Sequence, residues 1–408
     1  MLTPRPYQLV GRDFLAGRRF ALLADEMRVG KTPQAILAAR AVGAEQVLVV
    51  CPAIAVPQWH DEFDRWWPDG PMPTVRSYDR AKIQKVDLLS RQWDIVIVDE
   101  CHFAKNPDAQ RTKLIYGKGG LGWCSKRMWA LSGTPAPKHA GELWPMLRAF
   151  GATPLGYPEY VARYCYSDAT GRILGTKRKN TPELKALLAV VMLRRTRKEV
   201  APDMPPISFQ FLNVDDVEGA VRADLSRLSG WSDDKLAQYV EASAGGFDTE
   251  DRVSVAHAKV PPLVDEITFA INNSLLRQTV VFGWHVEPLQ SLARSLVARG
   301  VRVGLITGAT PPAQRVATQQ AFREGRVQVV VANILAAGTA IDLSSASHGY
   351  FLELDWVGAN NTQAANRLVS MDKPEPVSFD VVTLPGSTDD RVQRVVLRRA
   401  IEISALYN

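Results

Sequence analysis

The chain has 408 residues, 46% hydrophobic and 23% charged, with a formal net charge of +6; that length predicts two domains of roughly 150 to 200 residues, and the composition excludes a disordered chain. No apolar signal core opens the sequence and no run of about 18 apolar residues occurs, so neither secretion nor a membrane span is expected. The four cysteines, Cys51, Cys101, Cys124 and Cys165, lie far apart with no C-x-x-C pair, which argues against a zinc site or a disulfide framework and predicts a reducing, cytoplasmic setting.

Apolar runs over 20–24, 46–50, 94–98 and 128–131 read as strands alternating with helical stretches, the pattern of a parallel α/β sheet. Each run is followed by polar or glycine residues: Gly30-Lys31-Thr32 after the first, Cys51-Pro52 after the second, Asp99-Glu100 after the third, Ser132-Gly133-Thr134 after the fourth. Ligands sit at the carboxyl ends of strands in open α/β sheets, so one binding edge is implied. From about 151 to 262 the pattern turns helical, with basic clusters at Lys177-Arg178-Lys179 and from Arg194 to Lys198. Strand-like runs over 279–282, 301–306, 327–331 and 349–354 then alternate with helices as a second α/β unit.

Phosphate binding by a P-loop needs backbone N–H groups at a helix start, a lysine for the terminal phosphates and a hydroxyl on magnesium. Gly30-Lys31-Thr32 supplies these between a strand and a helix, although Asp25 stands where the first glycine of G-x-x-x-x-G-K-T is usual. Hydrolysis further needs an acid at a strand end to hold the metal and a neighbouring carboxylate to orient or deprotonate water. Asp99 and Glu100 fit these two roles. His102 is placed to couple that strand to Ser132-Gly133-Thr134-Pro135.

With these elements in place the chain resembles the SNF2-like branch of superfamily 2 helicases nearly end to end. Arg5-Pro6-Tyr7-Gln8 resembles the adenine-reading Q motif, and Ala24 to Thr32 resembles motif I, where the family commonly has the aspartate. Val49 to Pro52 with Gln58-Trp59 is similar to motif Ia, Ser77-Tyr78-Asp79 to the next DNA-contacting element, Asp99 to Asn106 to motif II, and Leu131 to Pro135 to motif III. Met192 to Val200, then Met204-Pro205-Pro206, resembles the linker signature between lobes. In the second half Val281-Phe282 looks like motif IV, Ala336 to Ala346 like motif V, Gln363 to Arg367 like motif VI, and Thr388 to Arg391 like the start of a closing brace helix.

The resemblance implies an α/β fold of two RecA-like parallel-sheet lobes with helical insertions between them: 1–150 an ATP-binding lobe, 151–262 insertions and linker, 263–408 the second lobe. It implies a double-stranded DNA translocase or helicase hydrolysing ATP with Mg2+, nearly blind to sequence. ATP would contact Arg5, Gln8, Asp25, Glu26, Met27, Arg28, Val29, Gly30, Lys31 and Thr32, with Thr32 and Asp99 on the metal and Lys31, Asp99, Glu100 and Arg367 catalytic. Candidate DNA contacts are Arg76, Ser77, Lys105, Thr134, Thr307, Gly308 and Gly338. The bare core is similar to SNF2-like proteins carried by bacteria or their viruses.

Two departures stand out. The family usually has glycine at Arg28, where a side chain either crowds the phosphates or adds a cation to them. The second arginine of motif VI, worth about 10³-fold or more in rate as a finger, aligns with Ser370, and the following Gly-Gln with Asp372-Lys373. Lys373 and Arg391 are positional substitutes. The alternative function is therefore a slow or inactive ATPase acting as an ATP-gated DNA clamp.

Overall fold

The computed structural model describes residues 2–202, 206–215, 249–337, 341–370, 373, 375–387, 389 and 396. They fall into two compact units, divided after Pro202. In the first unit β1 (Phe20–Leu23), β2 (Val47–Cys51), β3 (Thr74–Ser77), β4 (Trp93–Asp99) and β5 (Ser125–Leu131) form one sheet. β6 (Cys165–Ser167) and β7 (Ile173–Thr176) make a separate antiparallel hairpin, and β8 (Met192–Leu193) returns to the main sheet. The order is β3-β2-β4-β5-β1-β8, parallel throughout.

A parallel sheet is covered on both faces, so its strands are apolar without alternation. Leu48, Val49 and Val50 of β2 and Ile95 to Val98 of β4 are fully buried accordingly. Leu22, Val96 and Met128 join Trp93, Leu114 and Leu147 in one core. The strand order has a direct consequence for chemistry. Because β4, β5 and β1 are neighbours, the loops leaving their carboxyl ends lie side by side, and β8 brings a fourth segment against the loop after β1.

The second unit contains β9 (Ile207–Asn213), β10 (Thr279–Gly283), β11 (Val303–Ile306), β12 (Val329–Asn333), β13 (His348–Phe351) and β14 (Val377–Thr383). They form a second parallel sheet in the order β11-β12-β10-β13-β14-β9. Val281, Val331, Tyr350 and Val382 pack with Leu289 and Leu296 of the helix Val286–Ala298. Among the described residues no helix is long and apolar enough to cross a membrane.

The middle of the chain departs from the sequence reading. Residues 151–262 are not a separate helical block: 151–202 belong to the first unit, and 206–215 with 249–262 to the second. Helices do occupy Tyr157–Tyr164 and Thr181–Val191, but β6, β7, β8 and β9 are strands. The segment Ile207-Ser208-Phe209-Gln210-Phe211 alternates apolar and polar, a period of two that suits a strand. It pairs with β14 from Ile207↔Val377 to Asn213↔Thr383, and Phe209 stacks on Phe379 with centroids 5.6 Å apart. Pro261-Pro262, expected to close a helical stretch, instead sit in the first turn of the helix Val260–Asn272, where proline lacks only an N–H that has no helical partner anyway.

Candidate functional site

After β1 the chain turns through residues 24–30 into the helix Lys31–Ala41. Gly30 has φ 74° and Arg28 φ 67°, both in the left-handed region that glycine enters freely and arginine does not. A Cβ at Gly30 would fall 2.5 Å from Nε2 of Gln8, so the glutamine of the amino-terminal helix lies directly on the loop. Gln8 Oε1 accepts from the Arg5 backbone at 2.9 Å and so fixes the start of that helix. Lys31 folds over the loop, its Nζ donating to the carbonyls of Asp25 at 2.9 Å and Glu26 at 3.1 Å. Burial lowers its pKa, while Glu100, Asp25 and Asp99 attract the ammonium. A Cβ at Gly133 would lie 2.9 Å from Met27 and 3.5 Å from Lys31 Nζ, so the loop after β5 packs on the loop after β1. Val29 is fully buried and Thr32 half-buried in the helix's first turn.

The two acids of this loop serve the framework. Asp25, fully buried, is held by Arg195 through Nε–Oδ1 at 3.0 Å and Nη2–Oδ2 at 2.5 Å. Arg195 also donates to the Tyr7 carbonyl at 2.6 Å and to Gln34 Oε1 at 2.8 Å, and Gln34 Nε2 reaches Asp25 at 3.2 Å and the Gly30 carbonyl at 3.1 Å. Glu26 Oε2 accepts from the Arg197 backbone at 2.8 Å, and Arg194 bridges the carbonyls of Ala24 at 2.9 Å and Gly133 at 3.2 Å. The arginines expected to link two lobes thus lie against the loop itself, placed there by β8. The carboxylates of Asp25 and Glu26, expected to contact ATP, are turned to these arginines instead.

At the end of β4, Asp99 Oδ2 accepts from the Trp59 indole at 2.9 Å and Oδ1 from the Glu100 backbone at 3.0 Å. Desolvation and the neighbouring Glu100 charge push the Asp99 pKa up to about 6, against the Trp59 hydrogen bond and Lys31. Glu100 itself sits at φ 48°, a strained turn that sends the chain into the short helix Cys101–Ala104. Tyr78 ties the turn down by donating to the carbonyls of Asp99 at 2.8 Å and Glu100 at 3.2 Å. From Glu100 a polar chain runs to the next strand. Ser132 Oγ lies 3.4 Å from Glu100 Oε2 and 3.0 Å from His102 Nδ1, and it accepts from the Thr134 backbone at 3.1 Å.

Several residues expected at the DNA are occupied locally. The Ser77 hydroxyl caps the helix Tyr78–Ile83 by accepting from the Arg80 backbone at 3.1 Å, and Arg76 Nε donates to Gln84 at 2.6 Å. Lys105 pairs with the buried Glu142 at 2.7 Å. In the second unit Arg315 clamps the loop after β11, donating to the carbonyls of Thr307 at 2.9 Å, Gly308 at 3.3 Å and Thr310 at 2.9 Å. Gly308 faces open space. Gly338, Met204-Pro205 and most of the expected brace, including Arg391, lie outside the described residues.

Arg367 lies in the short helix Asn366–Leu368, its carbonyl accepting from Leu343 at 3.0 Å. Lys373, a positional substitute for the absent arginine, directs Nζ to the carbonyls of Ala346 and Leu368. Both lie in the second unit.

Sequence reasoning missed the supports: Gln34 and Arg195 on Asp25, Trp59 on Asp99, Tyr78 on the turn. Trp59 carried a signal, being a tryptophan in a helix directly after a strand end. It also missed a buried cluster at the carboxyl ends of β10 and β13. There Glu353 accepts from His285 Nδ1 at 2.7 Å and from its backbone at 2.9 Å, with Arg252 3.7 Å away and stacked 4.4 Å over Trp356.

The chain matches the family model of the SNF2-related domain over residues 7–75 and 73–218, and that of the helicase conserved C-terminal domain over 258–371. The mouse DNA annealing helicase and endonuclease ZRANB3 is 28% identical over 97% of this chain and 40% of its own length. The bovine SWI/SNF-related matrix-associated actin-dependent regulator of chromatin subfamily A-like protein 1 is 29% identical over 94% of this chain and 43% of its own. The chain therefore spans about two-fifths of the length of these curated relatives. A solved structure, the Sulfolobus solfataricus SWI2/SNF2 ATPase core in complex with dsDNA, aligns with 99% of this chain and 93% of its own at 18% identity and a TM-score of 0.46.

Proposed function

The chain belongs to the SNF2-related family, its two segments of that domain covering more than half of its length, and from that premise we propose that it is a DNA-dependent ATPase that moves along double-stranded DNA. The observation that carries the reading is the convergence of three strand ends. Lys31 after β1, Asp99 and Glu100 after β4, and Ser132 after β5 meet at one edge, joined by the contacts of Gly133 with Lys31 and of Ser132 with Glu100.

The residues present fit a magnesium nucleotide. Mg2+ takes hard oxygen ligands, mostly water and phosphate with one or two protein groups. Among the described residues no cluster of three or more His, Cys, Asp or Glu is arranged to hold a metal ion, so a cation here would need phosphate oxygens beside Asp99 and Thr32. Asp99, half-buried and with its pKa raised, gains from a neighbouring cation; bound Mg2+ would neutralise charge developing on the phosphates. Glu100 is the group to orient and deprotonate water, with Ser132 and His102 fixing its carboxylate. Lys31, whose Nζ donates to two carbonyls of its own loop, can exchange them for phosphate oxygens.

Duplex DNA as effector is supported by family membership, by the net charge of +6, and by the similarity to a DNA annealing helicase. Phosphate contacts would dominate affinity, so binding falls steeply with salt and ignores sequence. ATP turnover measured with duplex, single-stranded DNA and RNA tests the reading; stimulation by none of them removes it.

One observation favours a slow enzyme. Ser370 aligns with the family's finger arginine, and Lys373 is committed to backbone carbonyls. Turnover of the wild type barely above that of Glu100→Gln would make the chain an ATP-gated clamp.

A further inference from the structure

At the opposite edge of the first sheet lies a cavity of about 510 Å³, lined among others by Arg19, Phe20, Tyr116, Lys118, Trp123 and Arg148. Phe20 is the first residue of β1, whereas the Lys31 loop follows the last, so the cavity is separated from the nucleotide loop by the length of the strand. Its size falls within the range of about 300–1,000 Å³ usual for small-molecule sites. Among the described residues three cations line it and no carboxylate does.

The walls are prearranged. Phe20 stacks on Phe150 with centroids 5.3 Å apart, and Tyr116 meets Phe150 edge-on at 6.1 Å. The Arg19 guanidinium lies 4.9 Å over the Phe20 ring. Arg148 is braced by the carbonyls of Thr153 at 3.3 Å and Pro154 at 3.1 Å. Lys118 and Trp123 stand on the loop Gly117-Lys118-Gly119-Gly120-Leu121-Gly122-Trp123. A Cβ at Gly117 would fall 2.4 Å from the Lys113 carbonyl and one at Gly120 2.5 Å from that of Leu114, so this loop is folded tightly rather than loose. It nevertheless leaves Trp123 67% exposed, a large indole face in water that packing within the chain does not explain.

We propose that this cavity is a nucleotide site, taking a base against Trp123 and its phosphate among Arg19, Lys118 and Arg148. A flat π-face and three cationic side chains around one cavity match a base with its phosphate, the pairing that single-strand binders use. An anion alone would need no exposed indole, and an apolar ligand would need no cations. Duplex DNA does not fit, because its bases are stacked inside the helix, whereas a single strand can splay a base onto an aromatic side chain. The ligand is therefore a nucleotide unit, carried by a single strand or free.

The test uses the full chain and a fluorescent oligothymidylate of about 15 nucleotides, within the span of known single-strand sites, followed by anisotropy at low salt. Trp123→Ala is expected to weaken binding about tenfold, as loss of one base stack of this kind does, and Trp123→Phe to restore most of it. Lys118→Glu is expected to weaken it comparably. Melting curves, duplex affinity and ATP turnover without DNA are expected to match wild type, so this site can fail while the proposed ATPase stands. A bromodeoxyuridine oligonucleotide is expected to photocrosslink to the peptide containing Trp123. Competition by millimolar thymidine monophosphate, lost in Trp123→Ala, would assign the cavity to a free nucleotide; competition by oligonucleotide alone would assign it to a strand. Unchanged affinity in Trp123→Ala, or loss with Lys118→Glu but not with Trp123→Ala, would overturn the proposal.

Discussion

Arg195 grips the carboxylate of Asp25 with two parallel hydrogen bonds, at 3.0 and 2.5 Å, from a position 170 residues downstream. Asp25 is wholly buried, and its partner only slightly exposed. The residue replacing the usual first glycine of a phosphate loop has its carboxylate taken up by an arginine; it is the anchor by which a distant segment holds that loop in shape. The same arginine reaches Tyr7 and Gln34, so four parts of the first unit meet on one guanidinium.

Removing one partner of such a pair leaves an uncompensated buried charge, a loss of about 3–5 kcal/mol. Arg195→Met and Asp25→Leu should each lower the denaturation midpoint of the first unit accordingly. Replacing both by apolar residues of similar volume, Asp25→Leu with Arg195→Met, should recover most of the loss. Strict additivity in this double-mutant cycle would show that the pair is not coupled.

Arg28 and Gly30 make opposite predictions at neighbouring left-handed positions. An L-residue there costs roughly 1–2 kcal/mol, so Arg28→Gly should leave the melting temperature unchanged or raise it by about 2–4 °C. Gly30→Ala adds that strain and places a methyl group on Gln8, so it should lower it. Comparing ATP affinity of wild type and Arg28→Gly then separates the two roles open to Arg28. Weaker binding marks an added cation on the phosphates; tighter binding marks a side chain that crowds them.

If Glu100 handles the attacking water, Glu100→Gln should reduce turnover by about 10² to 10⁴, the usual worth of a general base, while nucleotide binding persists. Ser132→Ala should reduce turnover less, because His102 still faces Glu100 at 3.3 Å. Lys31→Ala should lose nucleotide binding. Wild-type turnover in Glu100→Gln would remove Glu100 from the chemistry.

Glu353 gives the second unit a defined acid limit. Burial alone would raise its pKa, but the His285 hydrogen bonds, the charge on His285 and Arg252 bring it below its ordinary value of 4.5. The unfolded chain therefore holds the proton more tightly, and stability rises with pH in that window. The contribution is complete above about 4.5 and lost as pH falls through the lower folded value. Glu353→Gln should be less stable than wild type at pH 7, with the gap closing below about pH 4.5, as read by denaturant titration at several pH values.

The strands that build each sheet's centre were legible because buried parallel strands announce themselves as unbroken apolar runs ending in polar loops. The runs at 94–98 and 279–282 are examples. The edge strands β3, β8 and β9, and β14 beside β9, were not read, since short or alternating segments draw their strand character from a partner far along the chain, as β9 does from β14. Within the site Lys31, Asp99 and Glu100 were visible from residue type and position. The groups that hold them were not: spacing along the chain says nothing of Trp59 reaching Asp99 across 40 positions, or of Arg195 reaching Asp25.

The Trp59–Asp99 contact has an optical consequence. An indole whose N–H is bonded to a carboxylate emits in a field set by that carboxylate's charge, and Trp59 is almost wholly shielded from water. Any cation settling on Asp99 would alter that field without displacing the ring. Trp59 is therefore an intrinsic fluorophore wired to the proposed metal position, and a variant keeping it as the sole tryptophan near the sheet edge would report metal occupancy by colour rather than by turnover.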